Sequence, residues 1–245
     1  MLGERSMTTS RFSTRPLYLQ VRDALASRIA SGEWKPDAAI PNEGDLAREF
    51  GVSSGTMRKA LDLLESERLL TRRQGRGTFV NDQASDALAV RYFNIRGPGG
   101  ERVTGEVTVK SVTEAQANQA ECVRLRLRPH DRVWRLHRVR QYCGEPFMVE
   151  DVCRPASLFP GLAEQQDPGH RLVVAAQQSG ILLGRGEERL SIQPAPPDVA
   201  EVLRIASGSP VMVLDRLIHS LDGRPVEWRV GTVHLADKYY LTEIN

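Results

Sequence analysis

The chain has 245 residues, 26% of them charged and 40% hydrophobic, with a formal net charge of +2. That length suits two modest domains, and no apolar run is long enough to span a membrane. The three cysteines, Cys122, Cys143 and Cys153, show no CxxC or Cys/His ligand spacing, so neither a metal nor a cofactor is expected.

The opening MLGERSMTTSRF lacks the hydrophobic core of a signal peptide and reads as a leader, with Met7 an alternative start. With the reduced thiols, this predicts a cytoplasmic protein. The first ordered element is a helix in which Leu17, Val21, Leu25 and Ile29 recur every four residues. Trp34 and Pro36 after it read as packing and turn residues.

Asn42 is a good N-cap, preceded by Pro41 and followed three residues later by Asp45. Leu46, Ala47 and Phe50 then make a short apolar stripe that Gly51 ends. Ser53 or Ser54 caps the next helix, whose Met57, Ala60, Leu61 and Leu64 follow the i, i+3, i+4, i+7 pattern. Its other face shows Ser54, Gly55, Arg58, Lys59 and Asp62, small or polar near the N-terminus and basic beyond. Such a helix suits the major groove of DNA. Leu69–Arg73 and Thr78–Val80 then predict two strands around Gln74, Gly75, Arg76 and Gly77, with Arg72, Arg73 and Arg76 supplying charge for phosphates. Helix-turn-helix followed by a basic hairpin predicts a winged helix. Residues 1–82 hold 13 Lys+Arg against 11 Asp+Glu, so the placement of the charge matters more than its excess.

From Pro16 to Val80 the chain resembles the winged-helix domain of GntR-type bacterial transcription regulators. The matches are Pro41, Glu43, Leu46-Ala47, Phe50–Ser53, Thr56–Leu61 and Arg72–Val80. The resemblance implies contacts to operator DNA from Asn42, Glu43, Ser53, Ser54, Gly55, Thr56, Arg58, Lys59, Arg72, Arg73, Gln74, Gly75, Arg76 and Thr78. Where many relatives carry serine this chain has Asn42, and where they carry arginines it has Gly44 and Ser54. Those losses leave Arg58 and the wing with more of the contact.

Beyond Val80 the segment 81–100 reads as a linker, with Leu88–Ile95 either a short strand or part of it, and Arg96–Gly100 a tight turn. The domain boundaries expected are therefore 11–80, 81–100 and 101–245. After Gly100 a pattern of strand, helix and hairpin occurs twice. Leu125, Leu127, Leu136 and Arg138 match Leu203, Ile205, Leu214 and Arg216 at a constant offset of 78 residues. Gly144-Glu145-Pro146 matches Gly223-Arg224-Pro225 past one inserted residue. Two related halves joined in one antiparallel sheet follow from this, giving an α+β chain overall.

Arg138 and Arg140 share a strand face with Trp134 and Leu136. A hairpin centred on Gly144 places Arg138 opposite Glu150. Arginine forks suit carboxylate or phosphate groups, so this face is a candidate anion site. The alternative is a cross-strand ion pair on a solvated face. From Val103 onward the chain resembles the ligand-binding domain of the HutC subfamily of GntR regulators, whose fold is like that of chorismate lyase. The motifs are Arg138–Arg140, Gly144–Pro146, Phe159–Gly161, Asp222–Glu227 and Asp237–Tyr240. The resemblance implies an effector site at Arg138, Arg140, Glu150 and Glu227, and a homodimer on a pseudo-palindromic operator. Trp228 and Arg229 either close that pocket or pack as ordinary sheet residues.

Some relatives have tyrosine at Val233 and a hydroxyl near Arg171, which argues against transferring a sugar-phosphate or urocanate effector. Two further readings stay open: a purely dimerising module, and a lyase-like enzyme using Glu150 and Glu227 as acid and base. The five scattered histidines offer no catalytic or metal spacing, so no catalytic residue is assigned. The expected function is a DNA-binding transcriptional regulator, a repressor by family pattern, whose operator affinity responds to a small anionic metabolite.

Overall fold

The computed structural model describes residues 15–85, 93–164 and 171–242. The leader and the stretch from Leu88 to Tyr92 lie outside them. The chain divides into two compact units, Met1–Asn81 and Asp82–Asn245.

The first unit holds α1 (Leu17–Ala30), α2 (Glu43–Phe50), α3 (Ser54–Ser66), β1 (Leu70–Arg73) and β2 (Gly77–Val80). Val21, Leu25 and Ile29 of α1 are buried as their spacing predicts, whereas Leu17 at the helix start is exposed. Leu46 and Ala47 of α2 and Met57, Ala60, Leu61 and Leu64 of α3 are buried as well, with α1 and α2 both packed on α3. Burial of each large side chain contributes about 1.5–3 kcal/mol. The Asn42 side chain accepts the backbone N–H of Asp45, and of the two candidate serines Ser53 caps α3, accepting from Thr56. Gly51 ends α2 in the left-handed conformation at φ 63°. There a Cβ is strained even though no neighbour lies in its way. Gly51→Ala is therefore expected to cost about 1–2 kcal/mol of stability, read as a lower urea midpoint at unchanged slope. Ala38–Ile40 joins the wing through the bonds Ile40 N–H to Thr78 O and Val80 N–H to Ala38 O.

The second unit is built on one six-stranded antiparallel sheet in the order β4-β5-β6-β9-β8-β7. Its strands are β4 (Glu106–Gln116), β5 (Arg132–Tyr142), β6 (Glu145–Pro155), β7 (Leu183–Pro194), β8 (Pro210–Ser220) and β9 (Pro225–Val233). Helix α4 (Gln119–Leu125) precedes β5, α5 (Leu172–Gln178) precedes β7, and α6 (Pro197–Leu203) precedes β8. The expected duplication is visible in this order: β4-α4-β5-β6 and β7-α6-β8-β9 meet at β6 and β9. Even the helix ends correspond, with Arg126 and Arg204 both left-handed C-caps at φ 54° and 56°.

Helices α4 and α6 cover one sheet face, over Leu125, Val133 and Cys153 at one end and Val149, Ala200, Leu203 and Val211 at the other. The opposite face carries two apolar clusters. One gathers Trp134, Leu136, Val152, Phe159, Val173 and Ile218; the other gathers Ile95, Phe147, Met148, Met212, Leu214 and Val233. Ile95, read from the sequence as the end of a short strand or of the linker, is buried in the second cluster. Ile95–Arg96 forms β3, which pairs with β10 (Tyr239–Tyr240), because a buried apolar side chain and its backbone need partners. Among the described residues no helix is long and apolar enough to cross a membrane.

Candidate functional site

In the first unit, Ser53, Ser54, Gly55, Arg58 and Lys59 are exposed and Thr56 is half-buried, so one side of α3 is open from its N-terminus onward. Asn42 lies exposed at the start of α2, beside the half-buried Glu43. Arg58 is gripped by Glu43 as a fork, Nη2 donating to Oε1 at 2.8 Å and Nε to Oε2 at 3.2 Å. That grip raises the Arg58 pKa and aims its guanidinium. Lys59 sits over the Tyr18 ring at 3.9 Å.

The wing residues separate by role. Arg72 reaches back to Asp62 and Glu65 of α3, and its backbone N–H also donates to Glu65 at 3.0 Å. It braces the wing against the helix and spends its charge there, a use that the contact pattern of the sequence did not anticipate. Arg73 stacks on Phe79 at 4.6 Å. Gln74, Gly75 and Arg76 form the exposed tip, and Thr78 behind it is half-buried. The strands begin and end within a residue of expectation, Leu70 pairing with Val80 and Arg73 with Gly77.

In the second unit, a charged band separates the two apolar clusters. Cross-strand register lines up Arg138, Glu150, Gly231 and Leu214 in one row, and Val152, Arg229, Arg216 and Glu188 in the next. Arg138 and Glu150 are opposite each other as the hairpin arithmetic requires, and both are buried, at 2% and 1% exposure. The solvated-face alternative is thereby removed. Three guanidiniums converge on the Glu150 carboxylate. Arg138 Nη2 lies 3.1 Å from Oε2, Arg140 Nε donates to Oε2 at 2.9 Å, and Arg229 Nη1 donates to Oε1 at 2.9 Å. Arg140 also donates to the Thr104 carbonyl at 2.9 Å and lies over the Phe93 ring at 4.4 Å. Glu227 accepts from Arg154 at 2.8 Å.

Burial alone would raise the Glu150 carboxyl, but Arg138, Arg140 and Arg229 outweigh it and hold it well below the usual carboxylate range. Glu227 is likewise pushed up by burial and pulled further down by Arg154, Arg229 and Arg138. Burial pushes Arg140 down to about 10, against the pull of Glu150, so it stays cationic at neutral pH.

Trp228 does not belong to this cluster. Strand alternation sends it to the opposite face, where its indole N–H donates to Asp215 at 2.8 Å beside Cys122 and Leu127. Arg229, one residue on, faces Glu150. Sequence reasoning missed Arg154, Arg216, Phe93, Asn94 and Glu188. Arg154 had a legible signal, lying four residues past Glu150 on the same strand face. A pocket opens over Gly231, lined by Phe93, Asn94, Met148, Glu150, Arg216 and Arg229 among others.

A winged helix with an open recognition helix, followed by a sheet domain with a buried charged pocket, defines the class: a DNA-binding regulator with a small-molecule sensing domain. The model for bacterial regulatory proteins of the gntR family matches residues 17–80, and the UTRA domain model matches residues 101–240. The chain belongs to the GntR family, in its UTRA-bearing, HutC-type branch. It is 30% identical over 233 residues to the mannosyl-D-glycerate transport/metabolism system repressor MngR of Escherichia coli K12, covering 94% of this chain and 96% of that one. It is 28% identical over 240 residues to the repressor NagR of Bacillus subtilis, covering 95% and 96%. PhnF from Mycobacterium smegmatis shares the fold at a TM-score of 0.56 and 22% identity, over 92% of this chain and 99% of that one. The family is one of transcriptional regulators that bind operator DNA, with small-molecule effectors bound by the UTRA domain; the lyase-like enzyme reading falls away.

Proposed function

We propose that this regulator represses transcription as a homodimer on a pseudo-palindromic operator, and that a small anionic metabolite bound in the second unit releases the DNA. The Ser53–Leu64 helix and the Arg73–Phe79 segment of the wing would contact each half-site. Arg138, Arg140, Glu150, Glu227 and Arg229 would form the effector site, the arginines facing its anionic group and the glutamates accepting from its donors. The observation that carries this reading is the convergence of three buried guanidiniums on the single Glu150 carboxylate. A buried excess of fixed positive charge favours an anionic occupant. MngR and NagR are repressors by name, which supports the sign assigned here.

The test is an anisotropy titration of the full chain against DNA from upstream of its own gene, with a random duplex and a salt series. Tight binding confined to the upstream duplex is expected, with a steep loss of affinity as salt rises. Equal, weak binding to both duplexes would refute the operator reading for that DNA. A metabolite screen on the same complex then tests release: a ligand can move operator affinity only by its differential affinity for the two states.

A further inference from the structure

Arg216 on β8 is the symmetry counterpart of Arg138, yet the proposed effector contacts do not use it. It is 6% exposed and lines the pocket over Gly231. Its Nε and Nη2 both meet Glu188 Oε1 at 2.6 Å, while Nη1 finds no hydrogen-bond partner among the described residues. Glu188 is held in turn by the Tyr240 hydroxyl, which accepts from Asn94 at 2.8 Å. The guanidinium is therefore fixed in place beside the pocket, with Nη1 left over. A buried donor without an acceptor is costly, and native proteins rarely leave one without a use.

The duplication sharpens the point. In the first half Arg138 stands across from Glu150, an ion pair. At the corresponding register of the second half Arg216 stands across from Arg229, two like charges on adjacent strands. Such an arrangement needs anions beside it, and Arg216 has Glu188, which still leaves its Nη1 without an acceptor among the described residues. Arg229 is already committed to Glu150, whose carboxylate also serves Arg138 and Arg140. Glu150 and Arg229 line the pocket together with Arg216, and Glu150 ties that pocket to Arg138 and Arg140 of the first half.

We propose that Arg216 holds a second acidic group of the effector, separate from the one at Arg138 and Arg140, so that the effector is a small diacid bearing two carboxylates or a carboxylate and a phosphate. This rests on the effector-pocket reading above. Gly231 lines the pocket; a Cβ there meets only the Met148 side chain at 3.6 Å, an ordinary contact, so the β-carbon of a strand-compatible valine is accommodated there.

The experiment follows the melting temperature of the full chain against malonate, succinate, glutarate and phosphonoacetate. Each is set beside its monoacid counterpart (acetate, propionate, butyrate, methylphosphonate) at matched ionic strength. At least one diacid should stabilise the protein at a tenfold or more lower concentration than its monoacid does. Arg216→Gln should erase that preference while leaving the monoacid response, and Gly231→Val should keep the native melting temperature but lose both responses. Equal responses to diacid and monoacid, no response to any diacid, or a preference that survives Arg216→Gln or Gly231→Val would each overturn the proposal. Operator affinity is measured separately by anisotropy. Diacid binding that leaves DNA affinity unchanged would defeat the effector reading while sparing the diacid assignment, whereas DNA release by monoacids alone would do the reverse.

Discussion

Arg58→Ala should lower affinity for the operator by about tenfold to a hundredfold per head, the cost of one lost base-edge or phosphate contact of about 1–3 kcal/mol. Arg58 is exposed on α3, and Glu43 holds its guanidinium in a two-bonded fork before any DNA arrives. A side chain oriented in advance loses less entropy on binding than a free one. Because Gly44 and Ser54 supply no cation where many relatives do, little else on this face offsets the loss. The measurement is paired anisotropy titration on operator and random duplex. A base-reading role requires a larger loss on the operator than on the random duplex. Equal losses would make Arg58 a general phosphate contact, and no loss would remove it from the interface. Arg72→Ala makes an instructive contrast, since its charge is already spent on Asp62 and Glu65; its effect would come through a loosened wing.

Glu150→Gln is the substitution expected to damage the second unit most. It keeps the shape but removes the one charge that Arg138, Arg140 and Arg229 share. Breaking a buried ion pair from one side costs about 3–5 kcal/mol, because the stranded cations remain. For a domain of this size that is roughly a 10 °C fall in melting temperature. Urea denaturation followed through Trp134 and Trp228 fluorescence would read it. A cost below about 1 kcal/mol would mean that the cluster behaves like a solvated surface pair. The pH dependence has a definite sign. The folded carboxyls of Glu150 and Glu227 are held below their unfolded value of about 4.3, so their contribution is fully present above it. It is lost as pH falls through that value and on toward the folded ones. The native chain should therefore destabilise steeply in acid, and Glu150→Gln should show a shallower decline from a lower start.

Local patterns carried much of this structure into the sequence. The register of Arg138 with Glu150 follows from a hairpin symmetric about Gly144, and the two halves of the sheet from an offset that stays constant over fourteen positions from Leu125 to Arg138. For Trp228 the sheet-packing alternative holds, since of the three consecutive strand residues Glu227, Trp228 and Arg229 only alternate ones can share a face. The reach of Arg72 to Asp62 and Glu65 on α3 does not show when charge is counted along the sequence. Arg216 was already visible as the match of Arg138, but its partner in the second half changes from glutamate to arginine, and that change acquires meaning only across the assembled sheet. Phe93, Asn94 and Glu188 left no local trace. They converge from segments far apart in the chain, and neither periodicity nor turn chemistry reports such meetings.

The seam between β6 and β9 also orders the folding of the second unit in time. Each half is made of neighbouring hairpin strands that can form locally, but Glu150 and Gly231 are roughly eighty residues apart, and closing so long a loop is entropically the late step. A refolding intermediate would then hold both hairpins without a pocket. A ligand that binds only across the joined seam would leave the folding rate nearly unchanged and slow unfolding instead, so the occupied regulator would gain lifetime rather than speed.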